Sequence, residues 1–142
     1  VAEPTAVWTE RRPPAAQPVW HWSPSSLTDL PRIRRELRGR IAEHEASDGP
    51  AVADPDMFVL ALDELMSNAL RHGRTPVLVD VGRTDDAWLL TVCDRAAEAP
   101  PRPALDRDPV DGGMGLGLVA HDAVEEGWYA SEQGKHVWVV LR

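Results

Sequence analysis

A helical period is clearest from Asp56 to Gly73, D-M-F-V-L-A-L-D-E-L-M-S-N-A-L-R-H-G. Phe58, Leu62, Leu65 and Ala69 recur at steps of three and four and form an apolar stripe. Glu64, Asn68, Arg71 and His72 recur at the same steps along another side. Asp54 or Asp56 caps the start, Pro55 is tolerated in the first turn, and Gly73 stands just past the end, where a left-handed residue is wanted. A second helix is predicted over Leu27 to Glu45, with Ser26 or Thr28 as its cap and Leu30, Ile33, Leu37 and Ile41 as its core face. Its other side carries Arg34, Arg35, Arg38 and Glu45. That side is either a solvated face or a surface for a partner or a phosphoryl group.

The period changes to two in the next segments. Pro76 to Arg83 places Val77, Val79 and Val81 on one face, and Ala87 to Asp94 follows after T-D-D, which suits a hairpin turn. Val19 to Trp22 reads as a short aromatic strand. Trp128 to Ser131 and His136 to Leu141 read as a closing hairpin around Glu132 to Lys135. Leu116 to Glu125 reads as a short helix packing through Leu118, Val119 and Ala123. This order predicts an α+β two-layer sandwich, with helices on one face of a mixed, mainly antiparallel sheet. Ala46 to Ala53 is a loop. Arg95 to Asp111 loses all period, holds Pro100, Pro101, Pro103 and Pro109, and is either functional or disordered. Val1 to Pro18 reads as a mobile lead-in, leaving 19–142 as the domain.

Composition narrows the classes. The 142 residues are 43% hydrophobic and 27% charged, which fits one domain with a modest core. Fifteen basic against 23 acidic residues give a formal net charge of −8, so no role at nucleic acid or at an anionic membrane is expected. Cys93 is the single cysteine, which excludes an internal disulfide and a cysteine zinc cluster. No apolar run approaches the roughly 20 residues of a membrane span, and prolines break the first 30 residues where a signal core would lie. A cytoplasmic location is the expectation.

Two segments hold candidate chemistry. Glu64 and Asn68 put a carboxylate and a carboxamide one turn apart at the edge of a buried face, a plausible pair for a proton and a metal, or simply the wet side of the helix. Gly112 to Val119, G-G-M-G-L-G-L-V, holds four glycines in six positions. A glycine turn feeding a helix aims unpaired N–H groups one way and cradles anions, typically phosphates. A tight packing corner explains the same glycines. The run lacks the Gly-Lys-Ser/Thr ending of a P-loop and does not follow the first strand, as a dinucleotide fingerprint does.

The order of the pieces is more specific: an E-x-x-x-N helix, an aspartate closing a strand at Asp94, a loop, then a G-x-G-x-G turn opening a helix. In this the chain resembles the Bergerat-fold (GHKL) ATPases. D-E-L-M-S-N-A-L-R-H-G, G-G-M-G-L-G-L-V and the closing G-K-H-V-W resemble the anti-sigma factor serine kinases, in particular their short stand-alone regulatory members. The similarity covers roughly Val19 to Leu141. It implies that Asn68 holds Mg²⁺ bridging the phosphates of ATP, that Glu64 is the general base towards a seryl hydroxyl, and that Asp94 accepts the adenine amino group. Gly113, Gly115 and Gly117 match the phosphate-side glycine box, and Arg95 to Gly112 the lid. His72, Ala96, Met114 and Leu116 complete the expected nucleotide contacts.

Two departures fall on the base side. Ala96 and Glu98 replace glycines in D-R-A-A-E, and His136 stands where many relatives carry a threonine near the adenine aspartate. The expected function is a Mg²⁺-ATP-dependent serine kinase acting on an anti-sigma antagonist and sequestering a sigma factor. Relatives often pair as homodimers through the sheet. The alternative is a binding module of the same fold without turnover. The ATP half of a histidine kinase fits poorly, because His44-Glu45 ends a helix instead of sitting within a long one.

Overall fold

The computed structural model describes residues 8–45, 51–98, 119, 121 and 123–142. In chain order these form β1 (Gln17–Trp22), a 3₁₀ turn (Leu27–Asp29), α1 (Leu30–Glu45), α2 (Pro55–His72), β2 (Leu78–Arg83), β3 (Trp88–Asp94), β4 (Glu125–Ser131) and β5 (Gly134–Leu141). The strands lie in the order β1-β2-β3-β5-β4, and every neighbouring pair is antiparallel. The α+β expectation holds. Among the described residues the sheet is antiparallel throughout, and parallel pairing occurs only at an isolated bridge between Glu10 and Trp128.

The two periods in the sequence build one core. Val77, Val79 and Val81 are fully buried, with Trp88, Leu90 and Val92 from β3 and Val137, Val139 and Leu141 from β5 on the same face. The stripe of α2 and Leu30, Ile33, Leu37 and Ile41 of α1 close over them. Trp88 anchors the layer, stacking on Trp20 at 5.4 Å and meeting the edges of Phe58 and His44 at 5.7 and 4.9 Å. Such pairs add about 0.5–1.5 kcal/mol each beyond burial. The arginine side of α1 is partly turned inward. Arg34 pairs with Asp63 at 2.7 Å and Arg38 with Asp56 at 2.9 Å, tying α1 to α2. Pairs at or near the surface like these contribute up to about 1 kcal/mol each.

The segment from Trp8 onward departs from the expected mobile lead-in. Trp8 is buried in the main core. The Trp128 N–H donates to the Thr9 carbonyl and the Arg11 N–H to the Trp128 carbonyl, so the segment covers the edge of β4. The Trp138 indole N–H donates to the Arg11 carbonyl at 3.0 Å, and the guanidinium groups of Arg11 and Arg12 lie over Trp138 and Tyr129. The chain then crosses the outer face of the sheet to β1, above a second apolar cluster of Ala87, Leu89, Trp138 and Val140. Proline-rich composition concealed this, because the strap is held by backbone pairing and cation–π contacts that leave no period.

Only the last turn of the expected helix Leu116 to Glu125 is described. Val119 is buried and accepts the Ala123 N–H at 2.9 Å. Val124 already bonds Val140, and Glu125 begins β4, so the helix ends before the predicted boundary.

Candidate functional site

The site is built where the C-terminal end of α2 meets the end of β3. Asp54 starts α2, its carboxylate accepting the Met57 N–H at 3.1 Å. Asp56 is not the cap, since its carboxylate is engaged with Arg38. The core stripe turns Glu64 and Asn68 to the flank of the helix, both half-buried and one turn, about 6 Å, apart. Burial pushes the Glu64 carboxyl above its ordinary value of 4.5, the Asp63 charge adds to the rise, and Arg71 opposes it. A carboxylate raised in this way has the basicity a proton acceptor needs. Arg71 also reaches back to the Ser67 hydroxyl at 3.1 Å, and His72 ends the helix, exposed.

Gly73 follows, and its role differs from the expected one. Its backbone is extended, with φ −92°, not left-handed. Glycine is required because the Asp94 carboxylate rests against its α-carbon. A Cβ there would fall 2.5 Å from Asp94 Oδ2 and 2.6 Å from Oδ1. The end of α2 and the end of β3 are thereby brought into contact, with Asn68 five residues back along the helix. The Arg95 N–H donates to the Arg74 carbonyl at 2.8 Å and holds the two chain segments together.

Asp94 is buried and carries three fixed relations. Its Oδ1 accepts the Ala96 N–H at 2.7 Å, its Oδ2 lies 3.6 Å from Lys135 Nζ, and Gly73 covers one side. Ala96, in place of a glycine, is buried and serves through its backbone, which any residue supplies. Glu98 is exposed and held by Arg74 at 2.8 Å. Its carboxyl lies below the usual range, because its own backbone N–H and then Arg74 favour the charged form.

The expected position of His136 is corrected by the strand register. Asp94 pairs with Lys135, and Cys93 with His136. Alternation sends Asp94 and Lys135 to the helix face and Cys93 and His136 to the outer face. His136 there bonds the Ser131 hydroxyl at 2.8 Å, stacks on Tyr129 at 4.3 Å and lies 3.8 Å from Cys93 Sγ. Burial, then Arg12, holds its pKa below the ordinary 6.5. The residue beside the aspartate is Lys135, which the sequence reading missed. The signal was present: Val137 and Val139 are inward residues, so Lys135 is inward as well.

Glu64, Asn68, His72, Asp94 and Ala96 are thus placed on two adjoining elements. Gly113, Met114, Gly115, Leu116 and Gly117, and most of the segment Arg95 to Gly112, lie outside the described residues. A cavity of about 1030 Å³ is found elsewhere, at the opposite end of β3, between the strap and the β2–β3 turn. No helix among the described residues is long and apolar enough to cross a membrane.

Against known protein families, residues 24–141 match the model of the histidine kinase-like ATPase domain. The chain belongs to the histidine kinase-like ATPase domain family. No curated protein matches it. The match spans both candidate segments, and it carries ATP binding, typically with Mg²⁺, as the function of such domains. The donor chemistry fits that group. Asn68 offers a neutral oxygen, the kind of ligand that Mg²⁺ takes alongside phosphates and water. Asp94 offers a buried acceptor with a donor beside it, suited to the edge of a base. Among the described residues there is no cluster of three or more His, Cys, Asp or Glu side chains able to hold a metal by itself.

Proposed function

We propose that this histidine kinase-like ATPase domain binds Mg²⁺-ATP and transfers its terminal phosphoryl group to a seryl hydroxyl on an anti-sigma antagonist, within a regulator that also sequesters a sigma factor. The observation that carries this reading is the line Glu64, Asn68, Gly73, Asp94. A raised carboxylate, a metal-type ligand and a buried base acceptor follow one another along α2 and onto β3. Asn68 would hold the metal, which supplies charge neutralisation on the phosphates. Glu64 would take the proton of the attacking hydroxyl, and its burial sets its basicity. Asp94 would fix the base and so the reach of the phosphates.

Calorimetric titration with Mg²⁺-ATP, followed by incubation with labelled ATP and a seryl partner, tests the proposal. Glu64→Ala should retain ATP and lose transfer, by a factor of about 10²–10⁴. Unchanged transfer would remove Glu64 from the mechanism. Asn68→Ala should weaken Mg²⁺-ATP strongly, and equal affinity would count against the metal role.

A second reading, a partner-binding module without turnover, draws support from the base side. There Asp94 already has Ala96 on one oxygen and Lys135 near the other. Phosphoryl transfer to a partner separates the two readings directly. Homodimerisation through the sheet belongs to either.

A further inference from the structure

We propose that Lys135 is a second base-reading group, donating to the ring nitrogen next to the exocyclic amine that Asp94 accepts. The proposal rests on the ATP reading above and names what sets its base specificity.

Three observations carry it. The first is register. Asp94 and Lys135 are directly opposed residues of neighbouring strands, and both project to the face that α2 covers. The second is the state of the pair. Nζ and Oδ2 are 3.6 Å apart, and the two side chains are 3% and 1% exposed. At that separation the charges compensate, yet no tight hydrogen bond closes between them. The ammonium keeps donors to offer, and Oδ2 keeps acceptor capacity. The Ala96 N–H occupies Oδ1, which orients the carboxylate and leaves Oδ2 as the oxygen beside the lysine. The third is close packing. Gly73 presents a bare α-carbon to the carboxylate, and Gly134, the residue before Lys135, has φ +137° with the Asp94 carbonyl where a Cβ would be. Two glycines thus clamp the end of β3 and hold the pair in register.

An adjacent acceptor and donor match one edge of adenine, where the 6-amino group donates and N1 accepts. A guanine edge reverses that order, with O6 accepting and N1–H donating. Charge-assisted hydrogen bonds in a desolvated site discriminate steeply, because the wrong edge leaves buried charge unpaired. Lys135 therefore acts on nucleotide choice and affinity.

The test uses 1-deaza-ATP, in which a C–H replaces N1, titrated calorimetrically beside ATP and GTP into the full chain. The wild-type protein should bind 1-deaza-ATP about tenfold or more weakly than ATP, the size expected for one hydrogen bond to a charged group. Lys135→Met should weaken ATP by a similar factor and cease to distinguish the two nucleotides. Equal binding of ATP and 1-deaza-ATP by the wild-type protein would overturn the proposal. So would a gain in ATP affinity in Lys135→Met, which would make the lysine an internal plug on Asp94. If Lys135→Met does not fold, the wild-type comparison decides alone. Failure of the wild-type protein to bind ATP removes the ATP reading and this inference together. ATP binding with no dependence on N1 removes this inference only.

Discussion

Asp94–Lys135 and Cys93–His136 are consecutive rungs of the same two strands, and they are chemically opposite. The first faces the helices and buries a carboxylate against an ammonium. The second faces the strap and buries a thiol, an imidazole and a phenol ring, all biased towards their neutral forms. Burial pushes the Cys93 thiol and the Tyr129 phenol up and the His136 imidazole down. One step along a strand exchanges a charged site for a neutral packing cluster. The difference shows where function has been placed. The outer rung closes its hydrogen bonds locally, His136 with the Ser131 hydroxyl and Cys93, and stacks its ring on Tyr129, whereas the inner rung keeps a donor and an acceptor beside each other under the end of α2.

The contrast is broken most severely by removing one charge. Lys135→Met leaves Asp94 buried without its partner and should cost about 3–5 kcal/mol in urea unfolding, with Asp94→Asn/Lys135→Met recovering much of it. A single variant no worse than the double would mean the pair does not act as a charged unit. Next in size is Gly73→Ala. Its new Cβ must displace the Asp94 carboxylate, at about 1–3 kcal/mol, and the same change should weaken ATP binding. A neutral result on both counts would detach the end of α2 from the site. On the outer rung, His136→Ala loses a stacked ring and one hydrogen bond, about 1–2 kcal/mol, with ATP affinity unchanged.

The smallest effect is pH dependence. His136 has a folded pKa below 6.5, so the unfolded chain takes up its proton first as the pH falls. Its contribution to stability is complete above about 6.5, is lost towards the lowered folded value, and then levels off. Comparing stability against pH for wild type and His136→Ala isolates this slope, and parallel curves would refute it. Glu64 runs the other way. Its folded pKa is raised, so its contribution falls as the pH climbs from 4.5 through the raised value. Glu64→Gln should therefore make the nucleotide-free protein slightly more stable at neutral pH, as read by thermal melting.

Much of this was legible in the residues. The stripe on α2, the Val77-Val79-Val81 face and the two hairpins follow from periods of 3.6 and two, because a period survives in the sequence whatever the element packs against. The strap from Trp8 to Arg12 was illegible, since its partners lie more than a hundred residues away and its own composition signals disorder. The arginine side of α1 left a solvated face and a partner surface both open in the sequence, and the positions of Asp56 and Asp63 opposite Arg38 and Arg34 depend on α2 packing beside it. Gly73 was recognised as a helix-ending glycine, yet the reason for it sits on another strand.

From the sequence alone came the two-layer α+β plan, the Glu64–Asn68 spacing and the resemblance to nucleotide-binding ATPases, all of which depend on local periodicity and the order of motifs. Only the tertiary structure chose between Lys135 and His136 as the neighbour of Asp94. That choice belongs to the pairing of β3 with β5, and a one-residue shift of register would have reversed it.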